Sequence, residues 1–267
     1  MLDFAFPVVY AVLAWWFATG IILFLDGLPR HTFRWSMAAA TLLLAGAAYD
    51  LRLSAADVSS GGAYTAFTCA ILVWGWLEMS FLMGFITGPR RHACLEPCGG
   101  WRHFVHATQA IVYNELATLV GGVLVFAATR GEPNHIGLWT FGVLWGMRLS
   151  AKLNLFFGVP NTGEQFLPEH LLYLRSFFRK RRMNFLFPFS IAGSTTLVVL
   201  LAQKCLAAQD PAQAAGYALV TSLLALAVLE HWFMVLPLRV ERLWSWMLGK
   251  TLRPIAAPIP AKAPSGG

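Results

Sequence analysis

The chain has 267 residues, 57% of them hydrophobic and only 12% charged, where a soluble domain carries roughly 45–50% apolar and roughly 25% charged residues. That balance excludes an ordinary soluble enzyme and leaves room for about seven membrane-crossing helices with short loops, at about 20 residues per crossing. A net charge of +7 would suit a nucleic-acid binder, but the apolar runs defeat that reading and the basic excess is read as membrane topology, with no nucleic-acid partner expected.

In chain order the apolar runs fall near residues 4–25, 35–53, 63–87, 104–128, 136–157, 185–205 and 215–237. The first lacks the basic flank and small-residue cleavage site of a signal peptide and is expected to stay as an anchor. The second is the weakest, being Ala-rich and closing on Asp50 and Arg52. Basic residues gather in alternate links. Arg30 and Arg34 follow the first run, Arg90, Arg91 and Arg102 the third, and Arg175, Arg179, Lys180, Arg181 and Arg182 the fifth, while Arg239, Arg242, Lys250, Arg253 and Lys262 sit in the tail. The other links hold Arg52 with Asp50 and Asp57, Arg130 with Glu132, and Lys204 with Asp210. By the positive-inside rule the N-terminus is periplasmic and the C-terminus cytoplasmic, which requires an odd number of crossings. The predicted fold is therefore all-α, a polytopic integral membrane bundle of about seven transmembrane helices. Residues 1–250 form one transmembrane domain, and 251–267 a disordered Pro/Ala-rich cytoplasmic tail.

The longest link, 158–184, is expected to hold a cytoplasmic amphipathic helix. Pro168, Glu169 and His170 can open it, and Leu171, Leu174, Phe177 and Phe178 form an apolar stripe suited to lie on anionic lipid or to dock another membrane subunit.

The fifth run carries the most chemistry. Arg148 and Lys152 are four residues apart and share one helix face, where a charge at the bilayer centre costs roughly 2.5–3.5 kcal/mol even on the lenient insertion scale. Carboxylates must compensate them, and Glu78, Glu115 and Glu230 fall at a similar depth. Gly142, Gly146 and Ser150 repeat on another face and predict close approach of a neighbouring backbone. Glu78, Glu115, Arg148, Lys152, Asn154, Glu169, His170, Glu230 and His231 are the candidate residues of an intramembrane polar pocket that either braces the bundle or holds a ligand. Trp74, Trp76, Trp139 and Trp145 sit where a flat pigment could stack.

No metal ligands are assigned from the sequence. Glu78, Glu115, Glu230, His106, His170 and His231 are the right types for a di-iron site, but Glu169-His170 and Glu230-His231 are adjacent and diverge by about 100° on a helix, where that chemistry wants them three apart. Cys94 and Cys98, near His92 and His103, have a C-x-x-x-C spacing that suits zinc but lacks a second Cys pair, and a reducing cytoplasmic side argues against a disulfide. No G-x-x-x-x-G-K, G-x-S-x-G or H-E-x-x-H occurs, so no catalytic residues are named.

The segments Trp74-Gly-Trp-Leu-Glu-Met-Ser-Phe, Gly88-Pro-Arg-Arg, Glu132-Pro-Asn-His-Ile-Gly, Met147-Arg-Leu-Ser-Ala-Lys-Leu-Asn, Phe166-Leu-Pro-Glu-His-Leu and Met183-Asn-Phe-Leu-Phe-Pro resemble the PuhE family of photosynthetic complex assembly proteins. The resemblance runs through most of the chain. It implies a role in assembling the bacterial photosynthetic reaction centre and its core light-harvesting complex, or in handling bacteriochlorophyll supply to that assembly. Bacteriochlorophyll or a precursor is then the expected transient ligand, and reaction-centre or core-antenna subunits or other assembly factors the expected partners within the lipid bilayer. The alternative is a membrane-embedded enzyme, metal-dependent or not, acting on a pigment or isoprenoid precursor. A transporter would show inverted repeats and paired helix breaks, and these are not seen in the sequence.

Overall fold

The computed structural model describes residues 2–94 and 98–237, of which only the backbone is described for residues 2–4. The expectation for the 251–267 tail, like the basic residues from Arg239 to Lys262, lies outside the described residues.

Among the described residues seven long helices follow in chain order: α1 (Leu2–Asp26), α2 (Phe33–Ala55), α3 (Ser60–Leu82), α4 (Gly100–Thr129), α5 (Ile136–Phe157), α6 (Leu186–Ala207) and α7 (Pro211–Phe233). No strand occurs among the described residues. Five helices, α1, α3, α4, α6 and α7, are long and apolar enough to cross a membrane. Helices α2 and α5, with 23 and 22 residues, have the length but not the hydropathy of the others. Arg34, Asp50 and Arg52 dilute α2, and Arg148, Lys152 and Asn154 dilute α5.

Local chemistry sets the ends. Ser59 caps α3 by accepting from the Gly62 amide at 3.1 Å, and Asp210 caps α7 by accepting from Ala212 at 3.1 Å with Pro211 at the first helical position. The third apolar run, expected to reach residue 87, stops as helix at Leu82 because Gly84 turns the chain at φ +81°. A Cβ at Gly84 would also sit 2.9 Å from the His170 ring.

Helix α3 is the hub. More than half of its apolar window is buried (56%), against 11% for α1, 22% for α4 and 17% for α6, so α3 is surrounded while the others face outward. It packs against α1, α2, α4, α5 and α7. One cluster joins Phe67 and Ile71 to Ala11, Val143 and the α7 residues Leu219, Val220, Leu223 and Leu224. A second joins Leu77 and Val73 to Leu51, Val125 and Phe141. On the outer surface α4 exposes Leu116, Leu119, Val120, Val123 and Leu124, an apolar face that water would penalise and lipid would not.

The loops sort into two ends. At one, Asn134 donates from Nδ2 to the carbonyls of Ser54 (2.9 Å) and Asp57 (3.1 Å), and Arg52 meets Glu132 at 2.8 Å, which ties the α2–α3 and α4–α5 links together. At the other, Arg30, Gly84, Thr87, Arg91, His170 and Tyr173 line one cavity of about 230 Å³, so the α1–α2, α3–α4 and α5–α6 links meet there.

That second end is a folded layer, which corrects the expectation of a helix lying on lipid. Residues Glu169–Phe177 form a 310 helix, whose three residues per turn align Leu171, Leu174 and Phe177 in one row. All three are buried against Phe81 and Ala110, facing the bundle. Glu164 accepts from Arg175 Nε (3.0 Å) and Lys180 Nζ (2.6 Å), and Asn161 donates to the Phe233 carbonyl (2.9 Å), which fastens the link to the end of α7. Burial pushes the Glu164 carboxyl up, but those two hydrogen-bonded cations more than reverse it, so its pKa lies below the ordinary value. The α3–α4 link docks on α4 through backbone: the Asn114 amide donates to the Thr87 carbonyl at 3.0 Å. Any Cβ at Gly88 would fall 2.0 Å from the Gln109 carbonyl oxygen, so only glycine permits that approach.

Candidate functional site

Helix α5 brings two kinds of polar face into the bundle. On the first, Arg148 donates from Nη2 to Glu78 Oε2 of α3 at 2.8 Å, and one turn on Lys152 donates from Nζ to Glu115 Oε1 of α4 at 2.6 Å. Each cation of α5 thus goes to a different helix. The Lys152–Glu115 pair is the more enclosed, with side chains 18% and 26% exposed, and the Lys152 ammonium also lies 5.5 Å from the centre of the Phe81 ring. Charge-assisted contacts of this length are the strong kind, and inside a bilayer they replace the hydration the ions have lost.

The second face is neutral. His231 Nδ1 lies 2.9 Å from the Ala227 carbonyl, which can only accept, so the proton sits on Nδ1 and Nε2 accepts from the Ser150 hydroxyl at 2.9 Å. The Ser150 and Ser190 hydroxyls are 3.0 Å apart. Asn154, fully buried, donates from Nδ2 to the Ser150 carbonyl (2.9 Å) and to the Ser190 hydroxyl (3.1 Å). Its Oδ1 accepts from Asn184 Nδ2 at 3.0 Å. Asn184 also donates to the Gly158 carbonyl (3.0 Å), while its own Oδ1 accepts from the Leu186 (2.8 Å) and Phe187 (3.0 Å) amides. One side chain therefore satisfies the C-terminal end of α5 and the N-terminal end of α6.

The nine residues picked from the sequence consequently separate. Glu78, Glu115, Arg148 and Lys152 form the ionic face, and Asn154 and His231 belong to the neutral network. Glu230, the neighbour of His231, makes no hydrogen bond to that network and no ion pair among the described residues, and lies close enough to feel the charges of Arg148 and Glu78. Glu169 and His170 belong to the loop layer. His170 Nε2 lies 2.7 Å from the Leu82 carbonyl at the end of α3. Burial holds the His170 imidazole below its usual pKa, the Leu82 carbonyl opposing and Arg30 adding to the effect.

Three residues that carry this site were missed. In the sequence Ser150 reads only as a small residue, and nothing marks Ser190 or Asn184 as a site residue. The one available signal was Asn184 standing just before an apolar run, the position of a helix cap. The small-residue face is corrected too: added Cβ atoms at Gly142 and Gly146 would meet nothing within 4 Å among the described residues, so no backbone packs there. The close approaches involve other glycines, such as Gly137 against Leu51 and Gly216 against Ile136. Of the tryptophans, Trp74 meets Phe141 edge-on at 5.6 Å, Trp76 donates to the Thr41 hydroxyl at 3.0 Å, and Trp139 is exposed.

The sulfur chemistry also differs from expectation. Cys94 and Cys98 are joined as a disulfide, their Cα atoms 6.3 Å apart and within the reach of such a bond. The expectation of no disulfide rested on the compartment alone; the two cysteines stand four positions apart in the sequence and their sulfurs meet. The histidine beside them is His106, while His103 is buried against the rings of Phe156 and Phe177.

A bundle of long apolar helices, with its ionisable groups paired inward from α3, α4 and α5, is the architecture of a polytopic membrane protein. The chain belongs to the family described as "Protein of unknown function (DUF3623)", whose model matches residues 1–254. It is 40% identical over 264 residues, 96% of each chain, to a Rhodobacter capsulatus protein described as "Uncharacterized 30.4 kDa protein in puhA 5'region". No solved structure matches it.

Proposed function

We propose that this chain is an assembly factor for the bacterial photosynthetic reaction centre and its core light-harvesting complex, working from the inner membrane. The observation that carries the reading is the full-length likeness to a Rhodobacter capsulatus protein placed in the puhA 5' region, which agrees with the motif resemblance to photosynthetic assembly proteins. The fold is compatible: all seven helices span about 33 Å or more at 1.5 Å per residue, long enough for a bilayer. Strongly basic links gather at the end where Arg30, Arg91 and His170 meet, which supports seven crossings with that end cytoplasmic and the N-terminus periplasmic.

The geometry favours bracing over ligand capture as the work of the α5 cations. Arg148 and Lys152 already hold Glu78 and Glu115, so a tetrapyrrole propionate would have to displace a carboxylate from each. The ion pairs then fix the register of α3, α4 and α5, and the partner subunits meet the outward apolar faces of the bundle.

Deletion of the gene in a phototrophic host tests this. The expected result is a fall in assembled reaction centre and core antenna, restored by the wild-type gene, with reaction-centre or antenna subunits co-purifying in mild detergent. Unchanged complex levels together with an empty co-purification would contradict it. The absorption spectrum of the same preparation reports whether bacteriochlorophyll or a precursor travels with the protein.

A further inference from the structure

The sulfur cluster in the α3–α4 link carries an inference that does not depend on the assembly reading. His106 Nδ1 lies 3.4 Å from Cys94 Sγ and 3.2 Å from Cys98 Sγ, and all three donor atoms lie within 4.8 Å of one another. A disulfide that only staples a loop has no use for an imidazole nitrogen directed at both sulfurs. Two thiolates and an imidazole are the donor set of a borderline-soft ion, and three protein donors leave a fourth position open to water.

The donors are held from independent directions. His106 stands on the second turn of α4, and Cys94 is pinned where its amide donates to the Ser176 hydroxyl at 2.9 Å. The Cys94 side chain packs against the cluster of Phe81, Ala110, Leu171 and Leu174. We propose that Cys94, Cys98 and His106, with the thiols reduced, bind a thiophilic divalent cation of the zinc class, and that the disulfide is the metal-free oxidised form of the same site.

The full-length protein, purified in detergent with a thiol reductant, stripped by a chelator and titrated with Co2+, tests this. The expected result is one equivalent bound with strong thiolate-to-cobalt charge-transfer absorption, lost when Zn2+ is added. Cys94→Ser and Cys98→Ser each lose the band and His106→Gln loses stoichiometric binding, while Cys69→Ala, at a buried cysteine in α3, leaves both unchanged. Wild-type protein oxidised before titration binds no Co2+. X-ray absorption on the zinc-loaded wild type needs no variant, and shows sulfur and imidazole in the metal's inner shell. A reduced wild type that binds no Co2+, a bound cobalt without the thiolate band, or a band that survives both serine substitutions overturns the proposal.

Discussion

The two polar faces of α5 solve one problem in different ways. Arg148 and Lys152 reach out to carboxylates on α3 and α4, whereas Ser150 and Asn154 join hydroxyls, amides and an imidazole on α6 and α7. Both satisfy polar groups in an apolar medium, but they fail differently. Removing one member of an ion pair strands a full charge, while removing one member of a neutral network strands only a dipole, which costs less. The ionic side should therefore be brittle and the neutral side graded.

The largest effect is expected on the ionic side. Lys152→Met leaves Glu115 unpaired and should cost about 3–5 kcal/mol of stability, read as a lower midpoint for denaturation in detergent. On the neutral side Asn154→Ala deprives Ser190 and Asn184 of partners and should cost about 1–3 kcal/mol in the same measurement. Ser150→Ala is milder, about 1 kcal/mol, because Asn154 keeps its bond to the residue-150 carbonyl and Ser190 keeps the Asn154 amide, while His231 Nε2 loses its donor and Ser190 one of two partners. If Asn154→Ala proved costlier than Lys152→Met, the contrast between the faces would collapse.

The loop layer supplies the mildest case, an ionic cluster that touches water. The folded-state pKa of Glu164 lies below its ordinary value of 4.5, so its stabilising effect is complete above that pH and is lost as the pH falls through the lower folded value. Acidification below the ordinary carboxylate range should loosen the link 158–185, seen as faster proteolysis there, and Glu164→Gln should flatten that dependence. The effect is small because Lys180 is largely exposed.

Much of the bundle was legible because helix length and apolarity are local properties. The seven apolar runs fall on α1 to α7, with ends shifted where a cap or a positive φ intervenes, as at Asp210 and Gly84. The charges of α5 announced that carboxylates were needed, since lipid offers nothing else. What the sequence could not convey was tertiary. The row Leu171, Leu174, Phe177 reads the same whether it faces lipid or protein, and only the contact with Phe81 and Ala110 decides. Gly142 and Gly146 have the spacing of a packing face with no partner against them, and the Ser150–His231 pair joins residues 81 apart in the chain. His103 is closer in sequence to the cysteines, yet helical phase on α4 presents His106.

The central claim is that an α5 cation is neutralised by a carboxylate on a neighbouring helix, and a double-mutant cycle at Lys152 and Glu115 tests it most directly. Lys152→Met and Glu115→Gln are each expected to destabilise the purified protein, and the double variant to recover most of the loss, since no buried charge then remains unpaired. Losses that simply add would contradict it, showing that the two side chains do not depend on each other.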